Sequence, residues 1–342
     1  MRYTAEEVMQ YVAEEDVKFI RLAFCDVFGR QKNISIMPPE LKRAFEQGIA
    51  FDASAVKGFG GDICSDLFLH PDPDTLSVLP WRPEQGRVVR MYCAVKTPGG
   101  RTHECDTRSM LIAAATKAAA EGLSFRFSAR PQFCLYKTDR TGERTYIPFD
   151  KAGYLDIAPL DKGENVRRQI CLNLEKMGIY PESSCHRSAG GQNEISFRAG
   201  EPLATADNVM SFVTAVKTAA SSNGLIADFS PEPADSRFII GIRVKDDRDG
   251  SRIRLAAEGI ERYLPEMAPY LSASAAVPSA PVIKPDGSTE LILPDPSANP
   301  YVVLSLLLRA ATWGITRRGE GTGGDVISRH IPENMKKLFC EG

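Results

Sequence analysis

The chain has 342 residues, 43% of them apolar and 25% charged, with a net charge of −2. That length suits one large domain or two ordinary ones with sizeable cores. The near-neutral balance gives no footing for a nucleic-acid or anionic-membrane partner. The opening segment, with Glu6 and Glu7, is acidic and lacks the apolar centre of a signal peptide. The most apolar run, Tyr301 to Trp313, is too short to span a bilayer and is broken by Ser305 and Arg309. Cysteines stand singly at 25, 64, 93, 105, 134, 171, 185 and 340, with no CxxC pair. Neither a zinc knuckle nor a disulfide framework is expected, and the reading is a reducing, cytoplasmic setting.

In chain order, residues 18–25 read as a strand with Ile20, Leu22 and Phe24 at period two. Asp26 to Arg30 reads as a turn, and Asn33 to Met37 as the returning strand. Pro38-Pro39 opens a short helix that Gly48 ends, and Val88 to Val95 is a further strand stopped by Pro98-Gly99-Gly100. The remainder alternates helices and strands. Residues 107–121 form an alanine-rich helix. Asp161 is expected to cap the next one, with Glu164 three residues on in the manner of a capping box and Val166, Ile170, Leu174 and Met177 as its buried stripe. Val209, Phe212, Val213 and Val216 mark another helix, ended by Asn223-Gly224. Asn299 caps a last one with Pro300 in its first turn; it is apolar on most faces and expected deep in the core. Strands are expected at 124–127, 133–136, 180–186, 193–198, 225–229, 238–244 and 289–293.

Several stretches, in order, resemble type I glutamine synthetases. Phe51-Asp52-Ala53-Ser54 resembles that family's Phe-Asp-Gly-Ser loop. Ser65-Asp66-Leu67, Pro71-Asp72, Pro80-Trp81-Arg82-Pro83, Gly153-Tyr154-Leu155-Asp156-Ile157-Ala158-Pro159, Thr205-Ala206-Asp207-Asn208-Val209-Met210 and Pro294-Asp295-Pro296-Ser297-Ala298-Asn299-Pro300-Tyr301 follow its wording too. The resemblance implies an α+β chain with the glutamine synthetase fold. A small β-grasp-like N-terminal domain would cover residues 1–100. A larger catalytic-like domain around a curved antiparallel sheet would cover 101–342. It implies an activity joining glutamate and ammonia with ATP and Mg or Mn, where a dense set of carboxylates holds the cations against phosphate.

Carried over position by position, that set is damaged. The family's Pro-Glu-x-Glu-Phe corresponds to Arg130-Pro131-Gln132-Phe133, so arginine and glutamine replace two glutamates. Its His-Glu…Gln-x-Glu corresponds to His186-Arg187…Gln192-Asn193-Glu194, in which Glu194 is the one of the two glutamates that survives. The strand that supplies a histidine reads Phe238-Ile239-Ile240-Gly241, with Ile239 at the altered position. Glu290 survives, but the arginines around it do not, and the segment between Leu271 and Glu290 lacks the family's flap and substrate-binding motifs. The implied positions Asp52, Glu194 and Glu290 therefore stand without most of their partners.

Arg130 and Arg187 balance Glu194 and Glu290 in charge. Like-charged carboxylates repel without a cation, and a guanidinium pairs bidentately with a carboxylate. Two ion pairs are expected, Arg187 with Glu194 and Arg130 with Glu290, with no metal and no cofactor. Solvated arginines or an anion pocket are the competing readings. Asp52 and Ser54 read as a structural loop, His186 as a packed histidine, and Gly319 to Gly324 as a surface loop rather than a phosphate loop. The leading function is a binding protein without ligase activity, a scaffold or regulator, self-assembled into a homo-oligomeric ring or joined to an active glutamine synthetase. A working ATP-dependent glutamate/amine ligase and a small-anion sensor are the alternatives.

Overall fold

The computed structural model describes residues 3–59, 66–232, 235–272, 277–316 and 326–340. The Gly319–Gly324 stretch, Cys64 and Ser65 lie outside the described residues. The chain divides into two compact units, one of Met1–Met110, Lys176–Gly178 and Pro332–Gly342, the other of Leu111–Glu175 and Ile179–Ile331.

The first unit opens with helix α1 (Ala5–Glu14), whose Thr4 and Glu7 form a reciprocal capping box and whose Val8 and Val12 are buried. Helix α2 (Leu41–Glu46) follows a Pro38–Glu40 turn. The sheet comprises β1 (Val17–Cys25), β2 (Gln31–Ile36), β3 (Ile49–Asp52), β4 (Asp66–Pro71), β5 (Ser77–Val78) and β6 (Arg87–Lys96). Its order is β2-β1-β6-β4-β3, with β5 also on β6. β1 and β6 run parallel while the other pairs are antiparallel, which gives the β-grasp arrangement. The Asp26–Arg30 turn forms as expected: Asp26 Oδ1 accepts the N–H groups of Phe28 and Arg30, and Gly29 takes φ 79°.

Helix α3 (Thr107–Ala120) lies mostly in the second unit. There follow β7 (Phe125–Pro131), β8 (Phe133–Thr138), β9 (Arg144–Pro148), α4 (Glu164–Lys176), β10 (Pro181–His186), β11 (Gln192–Phe197), α5 (Pro202–Ser222), β12 (Leu225–Asp228), β13 (Phe238–Val244), α6 (Ser251–Leu271), β14 (Val282–Ile283), β15 (Thr289–Leu293) and α7 (Pro300–Thr316). One sheet has the order β10-β11-β8-β12 with β9 on β8, the other β14-β15-β13-β7. Phe133, Phe197, Phe212 and Phe229 interlock at tilted and edge-on angles between α5 and the strands. α7 is buried along most of its length, and Asn299 Oδ1 caps it by accepting from Tyr301 N at 3.0 Å.

Two expectations change. α4 begins at Glu164, and Gly163 supplies the carbonyl that Arg167 N donates to, so Asp161 is not its cap. Asp161 instead turns inward to the Arg167 side chain. No element is expected from sequence over 251–271, yet α6 spans it with Pro265 and Pro269 inside the helix. The carbonyls these prolines leave without a helical partner belong to Glu261 and Pro265, both exposed residues, where water can take up the lost bonds. The opposite face, with Ile253, Ile260, Leu264, Met267 and Leu271, is buried and supplies the driving force.

Cys25, Cys93, Cys105, Cys134, Cys171 and Cys185 are free thiols. Burial pushes the Cys105 thiol up to about 12 and Cys134 up to about 11, so both stay protonated and act as small apolar groups. No helix among the described residues is long and apolar enough to cross a membrane.

Candidate functional site

The register of β7, β13 and β15 fixes one face of a sheet. Arg130 pairs with Ile239 and Ser128 with Gly241 on one side; Ile239 pairs with Ile292 and Gly241 with Glu290 on the other. Paired residues project to the same side and alternate along each strand, so all six share that face. Arg130 Nη2 donates to Glu290 Oε2 at 2.5 Å across β13. Gly241 lies between, where an added side chain would meet Ser128 Oγ at 2.4 Å. The second Glu290 oxygen faces Lys284 Nζ at 3.0 Å. Glu290 is thus held between two cations, one anticipated and one not.

Glu194 sits on β11 and is buried. Its Oε2 accepts from Gln132 Nε2 at 2.7 Å, and Arg187 Nε approaches the same oxygen at 3.7 Å. Gln132 stands at the junction of β7 and β8, with its Oε1 accepting from Arg237 N at 2.9 Å and Gln192 Nε2 at 3.3 Å. The Arg187 guanidinium also lies over the Tyr154 ring, 5.0 Å from its centre. Both expected arginine–glutamate pairs are therefore present. Arg130, Lys284 and Arg187 against Glu194 and Glu290 leave one surplus positive charge. Asp52, in the first unit, is exposed and closes a short turn by accepting from Ser54 N at 2.9 Å and Ser54 Oγ at 2.6 Å.

A second polar cluster was missed by sequence reasoning. Asp150, Asp161 and His186 are all buried, and one potential ligand atom from each lies within 4.8 Å of the others. Asp150 Oδ1 accepts from Gly191 N at 2.8 Å and faces His186 Nε2 at 2.9 Å, while Oδ2 accepts from Lys162 N at 3.1 Å. Burial alone would raise the Asp150 carboxyl; the Gly191 N–H and the His186 ring outweigh it and hold it below the usual carboxylate range. His186 Nδ1 faces only carbonyl oxygens, Arg187 O at 2.7 Å and Gly153 O at 3.0 Å. That arrangement keeps the proton on Nδ1 and turns Nε2 toward the carboxylates, the orientation of a metal-binding imidazole. Asp161 is gripped by both terminal nitrogens of Arg167, at 3.1 and 2.5 Å, and Arg167 reaches on to Asn193 Oδ1 at 2.6 Å. Asp161, Arg167 and His186 also border a cleft of about 730 Å³, with Cys171, Cys185 and Ile157 on its walls. Nothing in the local sequence joins residues so far apart; the one available signal is His186 next to a family motif.

Family models match two stretches: residues 16–98 match the glutamine synthetase β-grasp domain and residues 104–242 the glutamine synthetase catalytic domain. A glutamine synthetase of Clostridium saccharobutylicum is 37% identical over 92% of this chain and 80% of its own length. One of Methanosarcina mazei is 35% identical over 99% of this chain and 88% of its own length. Among solved structures, a chain described as a GmaS/ADP complex superposes with a TM-score of 0.83 at 19% identity, covering 98% of this chain and 94% of that one, which bears on fold alone.

These findings correct the expectation of a chain with no cofactor. The likeness to glutamine synthetases, which carries ATP and divalent metal with it, holds over nearly the whole chain, and the buried Asp150, Asp161 and His186 make a candidate metal centre. A cation there would compete with Arg167 for Asp161. With the β-grasp sheet, the catalytic-domain match and full-length relatives above 30% identity in agreement, the chain belongs to the glutamine synthetase family.

Proposed function

We propose that this family member no longer joins glutamate to ammonia and works by binding, as a scaffold or regulator. The observation that carries the reading is the pairing of Arg130 with Glu290 and of Arg187 with Glu194. The resemblance puts cation-binding carboxylates at both arginine positions. A Glu290 whose two oxygens already face Arg130 and Lys284 offers a hard cation no open pair of ligands. A divalent ion added there would also sit beside positive side chains, which Coulomb's law penalises. This donor set does not fit the family's phosphate-bridging metals, and no phosphoryl-transfer step follows from it. A cation at Asp150, Asp161 and His186 would tie the 150–161 loop to β10.

The second reading, a working ligase, draws on the 37% identity to a glutamine synthetase. Purified protein given ATP, magnesium or manganese, glutamate and ammonia separates the two. Phosphate release at the level of a glutamate-free control is the expected result; glutamine formation abolished by a chelator would overturn the proposal.

The partner proposed is a second copy of the chain. Tyr154, Leu155, Ile157 and Leu160 lie within one short segment and are all exposed, with Ile157 at 76%. Monomers seldom leave so much apolar surface in one place. Sedimentation equilibrium should give a mass above the 37.5 kDa of one chain, and a strict monomer at micromolar concentration sinks the idea.

A further inference from the structure

Among the described residues, six buried side-chain polar atoms lack any hydrogen-bond partner, and three of them belong to α7: Arg309 Nε, Thr312 Oγ1 and Trp313 Nε1. Positions i, i+3 and i+4 share one helix face. The guanidinium and indole nitrogens can only donate, and the threonine hydroxyl can donate as well. Buried polar atoms are almost always satisfied, so three orphans side by side call for an acceptor.

The charges nearby point the same way. Arg309 makes no hydrogen bond or ion pair with any described residue, and burial pushes it down to about 10. His330, in the Ser328–His330 turn, is pushed down to about 4, first by burial and then by the positive charges of Arg309, Lys117 and Arg329. No carboxylate of the described residues figures in either environment. A half-buried cation is costly unless something negative accompanies it. Trp313 is held by an edge-on contact with Tyr263 at 5.0 Å and by Arg262 over its ring at 5.1 Å, so its N–H direction is fixed by packing.

We propose that this face of α7, with Lys117 and His330 beside it, binds a small oxyanion, the phosphate group of a metabolite. Arg309 would meet two of its oxygens with the planar fork of its guanidinium. The Trp313 N–H and the Thr312 O–H would take the remaining acceptors. Lys117, exposed on α3, adds attraction at the rim. None of these residues belongs to the Arg130–Glu290 or Arg187–Glu194 groups, so the proposal stands whether or not ligase activity persists.

The test is thermal unfolding of the full chain during titration with inorganic phosphate, against chloride at equal ionic strength, with AMP and ADP as further arms. Phosphate should raise Tm saturably and chloride should not. A response to AMP or ADP at lower concentration than to phosphate assigns the group to a nucleotide; equal responses assign it to the free ion, and either supports the site. Arg309→Met should raise Tm without phosphate and weaken phosphate binding by at least about tenfold. Should that variant fail to fold, the His330 imidazole resonances decide in the native chain, because bound anion must move their titration upward. No stabilisation beyond chloride, unchanged affinity in Arg309→Met, or a His330 titration indifferent to phosphate would each overturn the proposal.

Discussion

Replacing Arg167 with methionine is expected to destabilise the chain by about 3–5 kcal/mol. Arg167 and Asp161 are both buried, and the guanidinium is shared among Asp161, Asn193 Oδ1 and Ser184 Oγ. Without it, Asp161 keeps only the Gly163 N–H, at 2.9 Å, and a buried carboxylate pays nearly its full desolvation cost. Removing the carboxylate as well, in Arg167→Met with Asp161→Leu, should recover most of the loss, since two apolar groups leave nothing uncompensated. Urea unfolding of the two variants and the parent, read as a double-mutant cycle, measures the coupling. The cluster adds a second expectation: with the guanidinium gone, Asp150, Asp161 and His186 present two carboxylates and an imidazole without a fixed counterion. Zinc or magnesium should then shift the midpoint of Arg167→Met more than that of the parent. A loss under about 1 kcal/mol would mean that the pair behaves like an exposed one.

Gly314→Ala should lower Tm by roughly 5–10 °C, from a loss of about 3 kcal/mol in the second unit. α6 and α7 cross at Gly259 and Gly314 with backbone against backbone. A Cβ on Gly314 would lie 2.1 Å from Leu255 O, and one on Gly259 would lie 2.3 Å from Ala310 O. Alanine favours a helix over glycine by about 1 kcal/mol, which works in the variant's favour. The clash is with a main-chain oxygen that no rotamer change can move, so separation of the two helices dominates. Calorimetry of Gly314→Ala and Gly259→Ala checks this, and an unchanged Tm in both would show that the crossing yields easily.

Much of the fold was legible because its elements carry clean periodicities. Ile20 and Leu22 alternate into the core of β1, and Val166, Ile170 and Leu174 line α4 as their spacing requires. Arg130–Glu290 and Arg187–Glu194 were legible for another reason: charge balance at positions fixed by homologous wording left few other partners. Lys284 was hidden because it lies in the shortened segment, where no motif gives a register. The Asp150–His186 and Asp161–Arg167 contacts were hidden because each residue alone looks like an ordinary loop or helix polar group. Only the folding of β10 against β11 and α4 brings them together. α6 carries two prolines, Pro265 and Pro269, on exposed positions, and its stability comes from the buried opposite face.

The residues after Pro332 carry helix α8 (Glu333–Cys340), which belongs to the first compact unit, with the Phe339 ring 5.3 Å from that of Phe28. During synthesis the opening segments therefore wait for a piece made some three hundred residues later. N-terminal portions usually settle while the ribosome is still at work. Here the first unit draws on both ends of the described chain, so its completion is a long-range event in sequence.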